Sequence, residues 1–290
     1  MHDHAHHQDQ SVSTLRLAFF LNVAFTLTEI VGGILTGSIA ILADAVHDLG
    51  DSLALGLAWW FEGIARNRPA NERFTYGYRR FSLLASLLNG VVLTAGSTLI
   101  LTHAIPRLLD PQPSHAAGMI GFAIVGVLVN GWAALKTGRG STMNESVVSW
   151  HLLEDVLGWV AVLCGALVMQ FTNWWWIDPL LAIAIAAFIL FNIVRRLWKI
   201  AKLFLQVAPE GIDVDLLQKE LAELDGVEGV HHLHIWSLDG EHHVATTHVS
   251  IAGDADPRAI KADIRSRLAT SNFDHVTVEI DLDDEDCSLG

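Results

Sequence analysis

Six apolar runs, Leu15 to Leu35, Ala40 to Ile64, Phe81 to Ile105, Gly118 to Lys136, Val147 to Phe171 and Trp175 to Leu197, govern what this chain can become. Each has about the 20 residues that a helix needs to cross a bilayer. A backbone in lipid must satisfy its own N–H and C=O groups, so runs of this length predict membrane-spanning helices. The hydrophobic content of 51% agrees. Six spans put both termini on one side of the membrane. Basic residues identify that side: Arg16, Arg66, Arg68, Arg73, Arg79, Arg80, Lys136, Arg139, Arg195, Arg196, Lys199 and Lys202 all fall on it, and only Arg107 falls on the other. The positive-inside rule therefore predicts cytoplasmic termini, with Trp174, Trp175 and Trp176 in the outer aromatic belt. The polar start "MHDHAHHQDQSVS" has no basic n-region, so no cleavable signal is expected. Cys164 and Cys287 give no disulfide framework.

Charge divides the chain. Residues 1–207 hold 13 basic and 13 acidic side chains, whereas residues 208–290 hold 5 and 19, so the whole net charge of −14 sits in the tail. This predicts a His-rich N-terminal tail over 1–14, a six-helix membrane domain over 15–207 and a soluble acidic domain over 208–290. Such acidity argues against a nucleic-acid partner. In the tail an amphipathic helix from Asp213 to Leu224 is followed by alternating strands "GVHHLHIWSL" and "HHVATTHVSIA" around the turn "DGEH". A second helix "DPRAIKADIRSRLA" and a third strand "HVTVEIDL" complete an αββαβ order. The fold class is a membrane all-α bundle with a cytoplasmic α+β domain.

The second run contains "ADAVHDLGDSLAL", three carboxylates and a histidine where each charge costs roughly 2.5–3.5 kcal/mol. His47 and Asp51 stand i, i+4 on one helical face, and His151 and Asp155 repeat that spacing in the fifth run. Two such faces turned together supply two imidazole nitrogens and two carboxylate oxygens, a tetrahedral donor set suited to Zn²⁺. The competing explanation is ordinary hydrogen-bonded helix packing. Recurrence of one spacing in two spans favours the metal. Asp44 and Asp48 form a rival i, i+4 face, and Glu154 reads as a carboxylate that supports a ligand or helix packing. His47 and Asp51 lie about two and three turns from the outer end of their span and Asp155 about four from its own, an offset that the fold must absorb. Glu29 is ionisable within the first span and is a candidate for access or proton movement, while Asn89 and Asn130 suit packing or access equally.

Taken together, "ADAVHDLGDS", "RFTYGYRR", "HLLEDVLGW", "WIDPLLAI" and "VHHLHIWSL" resemble the cation diffusion facilitators in order and over the chain from Leu15 to Cys287. The resemblance implies a homodimeric metal/proton antiporter with six spans and a metallochaperone-like cytoplasmic domain. It implies transport ligands at His47, Asp51, His151 and Asp155, as in the zinc-carrying members. It also implies a second zinc site in the tail among His231, His248, His275 and Asp281, with His232 and His234 as alternatives. Strand alternation puts His232 and His234 on one sheet face and His231 on the other. Surface histidines on a solvated strand are an alternative explanation for all of these. Some bacterial members bind a further metal after the second span, but "ARNRPANERFTYGYRR" has no His or Asp, so none is expected there. The loop "KTGRGSTMNES" lacks the His-rich stretch of vesicular eukaryotic relatives, which points to a bacterial inner membrane. The N-terminal "HDHAHH" and Cys287 are weak metal candidates.

The expected cycle exchanges Zn²⁺, as transported substrate, for protons, because an imidazole with an ordinary pKa near about 6.5 must be neutral to bind metal. Zinc is also the expected regulatory ion of the tail, and no organic cofactor is expected. Two rivals remain. An intramembrane metalloenzyme would need a motif such as His-Glu-x-x-His, which is missing, and "HLLED" ends in Asp. A membrane metal sensor would use the tail as its detector without moving metal.

Overall fold

The computed structural model describes the backbone of residues 3–67, 70–137, 143–269 and 273–281, and their side chains except at 3–15, 17, 18, 58, 62–67, 136, 137 and 143–152. Two compact units emerge, Met1–Asn67 with Ala85–Leu197, and Arg68–Leu84 with Trp198–Gly290.

The first unit is built from α1 (Asp3–Thr36), α2 (Ile39–Asn67), α3 (Phe81–Leu109), α4 (Ala116–Thr137), α5 (Met143–Thr172) and α6 (Ile177–Phe204), whose last residues belong to the second unit. Among the described residues five of these are long and apolar enough to cross a membrane by composition alone. The sixth, α2, is 29 residues long but carries the acidic cluster. The α1–α2 turn is tight: Gly37 takes φ +64, open to a residue without Cβ, and the Ser38 N–H reaches back to the Gly33 carbonyl. The start of α2 is capped from another helix. Asp178, buried in the first turn of α6, accepts hydrogen bonds from the Ser38 hydroxyl and from the N–H groups of Ile39 and Ala40, which meets donors that a helix start leaves unpaired.

Helix α1 packs on α2 and α4 on α5, with further contacts of α1 to α4 and α2 to α5. Their shared core gathers Ile41, Met119, Trp159, Val162 and Met169. Trp159 lies flat on Gly126 of α4, where an added Cβ would sit 2.2 Å from the indole, so the glycine sets the α4–α5 separation. Leu93 of α3 packs with Ile189 and Ile193 of α6 in a smaller cluster.

The second unit holds α7 (Val214–Ala222), β1 (Val227–Ser237), β2 (His243–Ile251), α8 (Pro257–Ala269) and β3 (Phe273–Asp281), in the expected αββαβ order. The sheet order is β1-β2-β3, antiparallel between the first two and parallel between the last two. Asp213 caps α7 by accepting from the Leu216 N–H. Ile260, Ile264 and Leu268, spaced i, i+4, i+8 on α8, bury with Leu217 and Leu221 of α7 against Val230, Ile235, Ala245, Val249 and Val278. Each such side chain contributes roughly 1.5–3 kcal/mol of burial. The residues 70–84 fold with this unit: Asn71 Oδ1 accepts from the N–H groups of Arg73 and Phe74, Arg79 ion-pairs with Asp274, and the Tyr76 ring meets His275 edge-on at 5.5 Å.

Strand alternation fails at one place. His232 has φ +46, and the β1–β2 register shifts between His231 and His234. This bulge adds a residue, so Val230 and Leu233 both turn to the core while His231, His232 and His234 all turn to the opposite face. The expectation that His231 faces away from His232 and His234 is corrected by it.

Candidate metal sites

Helix α2 presents two faces. Toward α5, His47 Nε2 lies 3.5 Å from Asp155 Oδ1 and 3.9 Å from Asp51 Oδ2. One imidazole nitrogen is thus shared by a carboxylate from its own helix and one from α5. Two ligands of a tetrahedral zinc at about 2.0–2.1 Å stand about 3.3 Å apart, and these separations are only slightly longer. Despite the offset expected from their depths along α2 and α5, the side chains meet. Asp155 Oδ1 is buried without a hydrogen-bond partner among the described residues, which suits an oxygen that receives a cation. His151, one turn before Asp155 on α5, has its side chain outside the described residues. Glu154 is exposed and so belongs to another side of α5; it does not support the ligands.

The other face of α2 is the more deeply buried. Asp44 and Asp48 are only 6% and 8% exposed, and they lie near Glu29 of α1, itself 1% exposed, with the Asp48 carboxyl beside its own and no amide or hydroxyl donor on either oxygen among the described residues. Asn22 Nδ2 donates to the Asp48 carbonyl, and the Thr26 and Ser52 hydroxyls are 3.4 Å apart. A polar stripe of Asn22, Thr26 and Glu29, spaced i, i+4, i+7 on α1, therefore lines α2. That spacing is visible in the sequence and marks a buried polar face. Asn89 is buried with its Oδ1 unpaired, whereas Asn130 donates to the Gly126 carbonyl of its own helix.

On the open face of the sheet a second histidine is flanked by carboxylates. His248 Nδ1 is 3.3 Å from Asp281 Oδ1, and its Nε2 is 3.6 Å from Glu279 Oε2. The His232 ring lies 5.4 Å from that of His248 and 6.2 Å from that of His234, while His231 Nε2 is 3.0 Å from Ser250 Oγ. Glu279, two residues before Asp281, was not singled out in the sequence; strand periodicity places them on one face. His275 is not brought to this group. It lies four residues before Glu279 on β3, about 13 Å along the strand, and meets Tyr76 instead. Cys164 is exposed, and Cys287 and the N-terminal histidine side chains lie outside the described residues. Among the described residues no three His, Cys, Asp or Glu side chains stand together as one metal cage. Each cluster is a histidine with two carboxylates around it.

Two family models match the chain, the cation efflux transmembrane domain over residues 15–205 and the cation efflux protein cytoplasmic domain over 209–283. The metal cation efflux system protein CzcD of Cupriavidus metallidurans is 34% identical over 97% of this chain and 89% of its own length. The zinc transporter ZitB of Escherichia coli is 32% identical over 97% and 92%. A Bacillus subtilis protein named cadmium, cobalt and zinc/H(+)-K(+) antiporter is 29% identical over 97% and 92%. The metalloenzyme alternative falls with these matches. An apolar helical unit, a polar α1–α2–α5 seam inside it and a separate αββαβ unit are thus the anatomy of an integral membrane transporter, and the chain belongs to the cation efflux family, the cation diffusion facilitators.

Proposed function

We propose that this protein exports zinc from a bacterial cytoplasm, exchanging it for protons by alternating access between the two sides of the inner membrane. One observation carries the reading: α2 and α5 meet at His47 Nε2, with the carboxylates of Asp155 and Asp51 at 3.5 and 3.9 Å. His151 completes a set of two nitrogens and two oxygens, closed enough for zinc as cargo. Facing the cytoplasm, the neutral imidazoles take up zinc and lose protons; facing a more acidic exterior, protons displace the metal. The relatives support this, one named a zinc transporter and one an antiporter of cadmium, cobalt and zinc.

The protein works as a homodimer with both termini in the cytoplasm, its basic loops on that side, and with the division into 1–14, 15–207 and 208–290. In the tail, His232 and His248 with one of the carboxylates Asp281 and Glu279 would hold a regulatory zinc, the other carboxylate orienting the His248 ring, flanked by His231 and His234. Imidazole nitrogens and a carboxylate on one open face are donors that zinc accepts. Two tails carrying −14 each repel at close range, and bound zinc offsets part of that repulsion. The test is zinc flux into sealed vesicles holding the purified protein, with and without an imposed pH gradient. Wild-type flux in a monodisperse Asp155→Ala variant would refute the transport site, and indifference of the wild type to the gradient would refute proton exchange.

A further inference from the structure

We propose that Glu29 carries a transported proton, at a site separate from the metal ligands. This rests on the zinc/proton exchange proposed above. Glu29 sits seven residues before the end of α1, about 10 Å from that end of the helix. Its carboxyl is 1% exposed, and among the described residues neither oxygen has an amide or hydroxyl donor. Among the described side chains of the elements packed on α1, His47 of α2 is the group that can carry positive charge, and it is turned to Asp155 and Asp51. From α2 it faces Asp44 and Asp48, from α5 Asp155 adds a third carboxyl group, and α4 presents no described titratable side chain. An ionised carboxylate without hydrogen bonds or counter-charge costs several kcal/mol. In this conformation the group is therefore a neutral acid.

A neutral acid that never ionised would be a poorly chosen packing residue, but the surroundings of Glu29 give it a route and a trigger. It lines a cavity of about 280 Å³ whose wall is otherwise Thr28, two glycines and the apolar Phe25, Phe122, Val125 and Trp159, larger than the roughly 30 Å³ of one water in the liquid, with the Glu29 carboxyl and the Thr28 hydroxyl as its polar groups. The cavity lies toward the C-terminal half of α1 and the start of α4, which is the outer half in the orientation proposed. The trigger is the cation itself. Asp48 adjoins His47 in the chain, so two positive charges at the ligands bear on Glu29 through a low-dielectric interior. As zinc loads from the cytoplasm, the O–H bond of Glu29 breaks and its proton leaves to that side. As zinc departs outward, the carboxylate takes a proton from the outer solution through the cavity. Each turn moves one proton inward on Glu29 per zinc moved outward, besides any exchanged at the ligands.

The test uses the full chain, purified in detergent and then reconstituted into liposomes, as wild type, Glu29→Gln and Glu29→Asp. Protons released per zinc bound are counted with an indicator in weak buffer. Glu29→Gln is expected to bind zinc about tenfold or more weakly, because a proton released on binding is coupled to affinity, and to release about one proton fewer per zinc. In liposomes it should lose most of the acceleration that a pH gradient gives the wild type, and Glu29→Asp should retain it. Undiminished proton release in Glu29→Gln overturns the proposal, as does complete loss of zinc binding, which would make Glu29 a ligand. Should Glu29→Gln not fold, infrared difference spectra decide: zinc must remove a protonated-carboxyl band in the wild type that Glu29→Asp shifts, and a band unmoved by that change overturns the assignment. A wild type that ignores the gradient and releases no protons would instead overturn the exchange on which the proposal rests.

Discussion

Both histidine–carboxylate clusters of this chain have the same composition, yet their geometry and solvation differ. In the membrane unit both carboxylates, Asp51 and Asp155, address one nitrogen of His47. A metal on that nitrogen would have both carboxylates on its side of the ring. On the sheet, Asp281 and Glu279 address opposite nitrogens of His248. A metal on one nitrogen then takes one carboxylate, and the other holds the ring, as the partner of a metal-bound imidazole commonly does. Solvation separates them further. Asp155 Oδ1 is buried with His47 Nε2 as its neighbour, whereas Glu279 is 66% exposed and solvated whether or not metal is present. The first cluster gathers two carboxylates on one nitrogen out of water, an arrangement that favours a bound cation, whereas the second is solvated and can stand empty at little cost.

The sharpest way to break this comparison is to truncate the buried carboxylate. Asp155→Ala is expected to lower zinc flux by at least about 100-fold, since even losing the supports of a metal ligand costs 10–100-fold. Its fold should survive, because His47 keeps Asp51 beside the same nitrogen when Asp155 is removed. A cooperative thermal melt of the detergent-solubilised variant within a few degrees of wild type, beside the lost flux, is the expected pair of results. A variant that loses flux because it unfolds would make Asp155 structural.

His47→Asp asks whether the shared nitrogen selects the metal. Replacing nitrogen by a harder oxygen should change the ratio of zinc to cadmium flux by about tenfold, in favour of neither fold nor assembly but of a different cation preference. An unchanged ratio would show that His47 is not a ligand.

How much of this arrangement could be read beforehand depends on its periodicity. The membrane helices and the repeated His-x-x-x-Asp spacing follow from local sequence, and α2 and α5 do bring His47 and Asp155 together. The tail's element order was equally legible, since its helices and strands bury one face each. What escaped depended on tertiary pairing. The bulge at His232 is fixed by β2, and it inverted the expected side of His231. His275 belonged with His248 by residue type, but β3 runs too far between them. Asp178 was only one letter of "WIDPLLAI", because its partners, the donors at the start of α2, lie about 140 residues away. The Glu29 face of α2 was underrated for a different reason: spacing ranked His47 and Asp51 above Asp44 and Asp48, while burial ranks them the other way.

A smaller effect should separate the two carboxylates of the sheet. If one is a ligand and the other an orienting group, Asp281→Asn and Glu279→Gln will not weaken zinc binding equally. The less exposed Asp281, at 13% against 66%, is expected to cost the tail more of its zinc-induced stabilisation, which follows affinity by mass action. Flux through the membrane site should fall no more than about fivefold in either, since a regulatory coupling is typically worth 1–3 kcal/mol. Equal losses of zinc-induced stabilisation would put both carboxylates in the same role, and loss of flux as large as in Asp155→Ala would erase the distinction between cargo and sensor sites.

The smallest effect concerns protons on the tail without metal. His243 begins β2 with its ring against Phe273 at 5.8 Å and Nδ1 buried without a partner among the described residues. Burial holds its pKa below the ordinary imidazole value, more than nearby Asp239 raises it. The unfolded chain then binds the proton first, so stability is complete above about pH 6.5 and declines as pH falls through that value. Asp239 behaves in the same sense but lower. Burial raises its pKa, yet hydrogen bonds from the N–H groups of His242 and Glu241 and from the His242 ring outweigh it and hold the carboxyl below its ordinary range. Its contribution persists until pH falls below about 3.9. Melting of residues 208–290, which carry their own core, should therefore drop by no more than about 4 °C between pH 7.5 and about 5.5, and His243→Gln should flatten that interval alone. A slope that survives in His243→Gln but vanishes in His248→Gln would assign it to the open face, and the sheet cluster would then respond to protons as well as to metal.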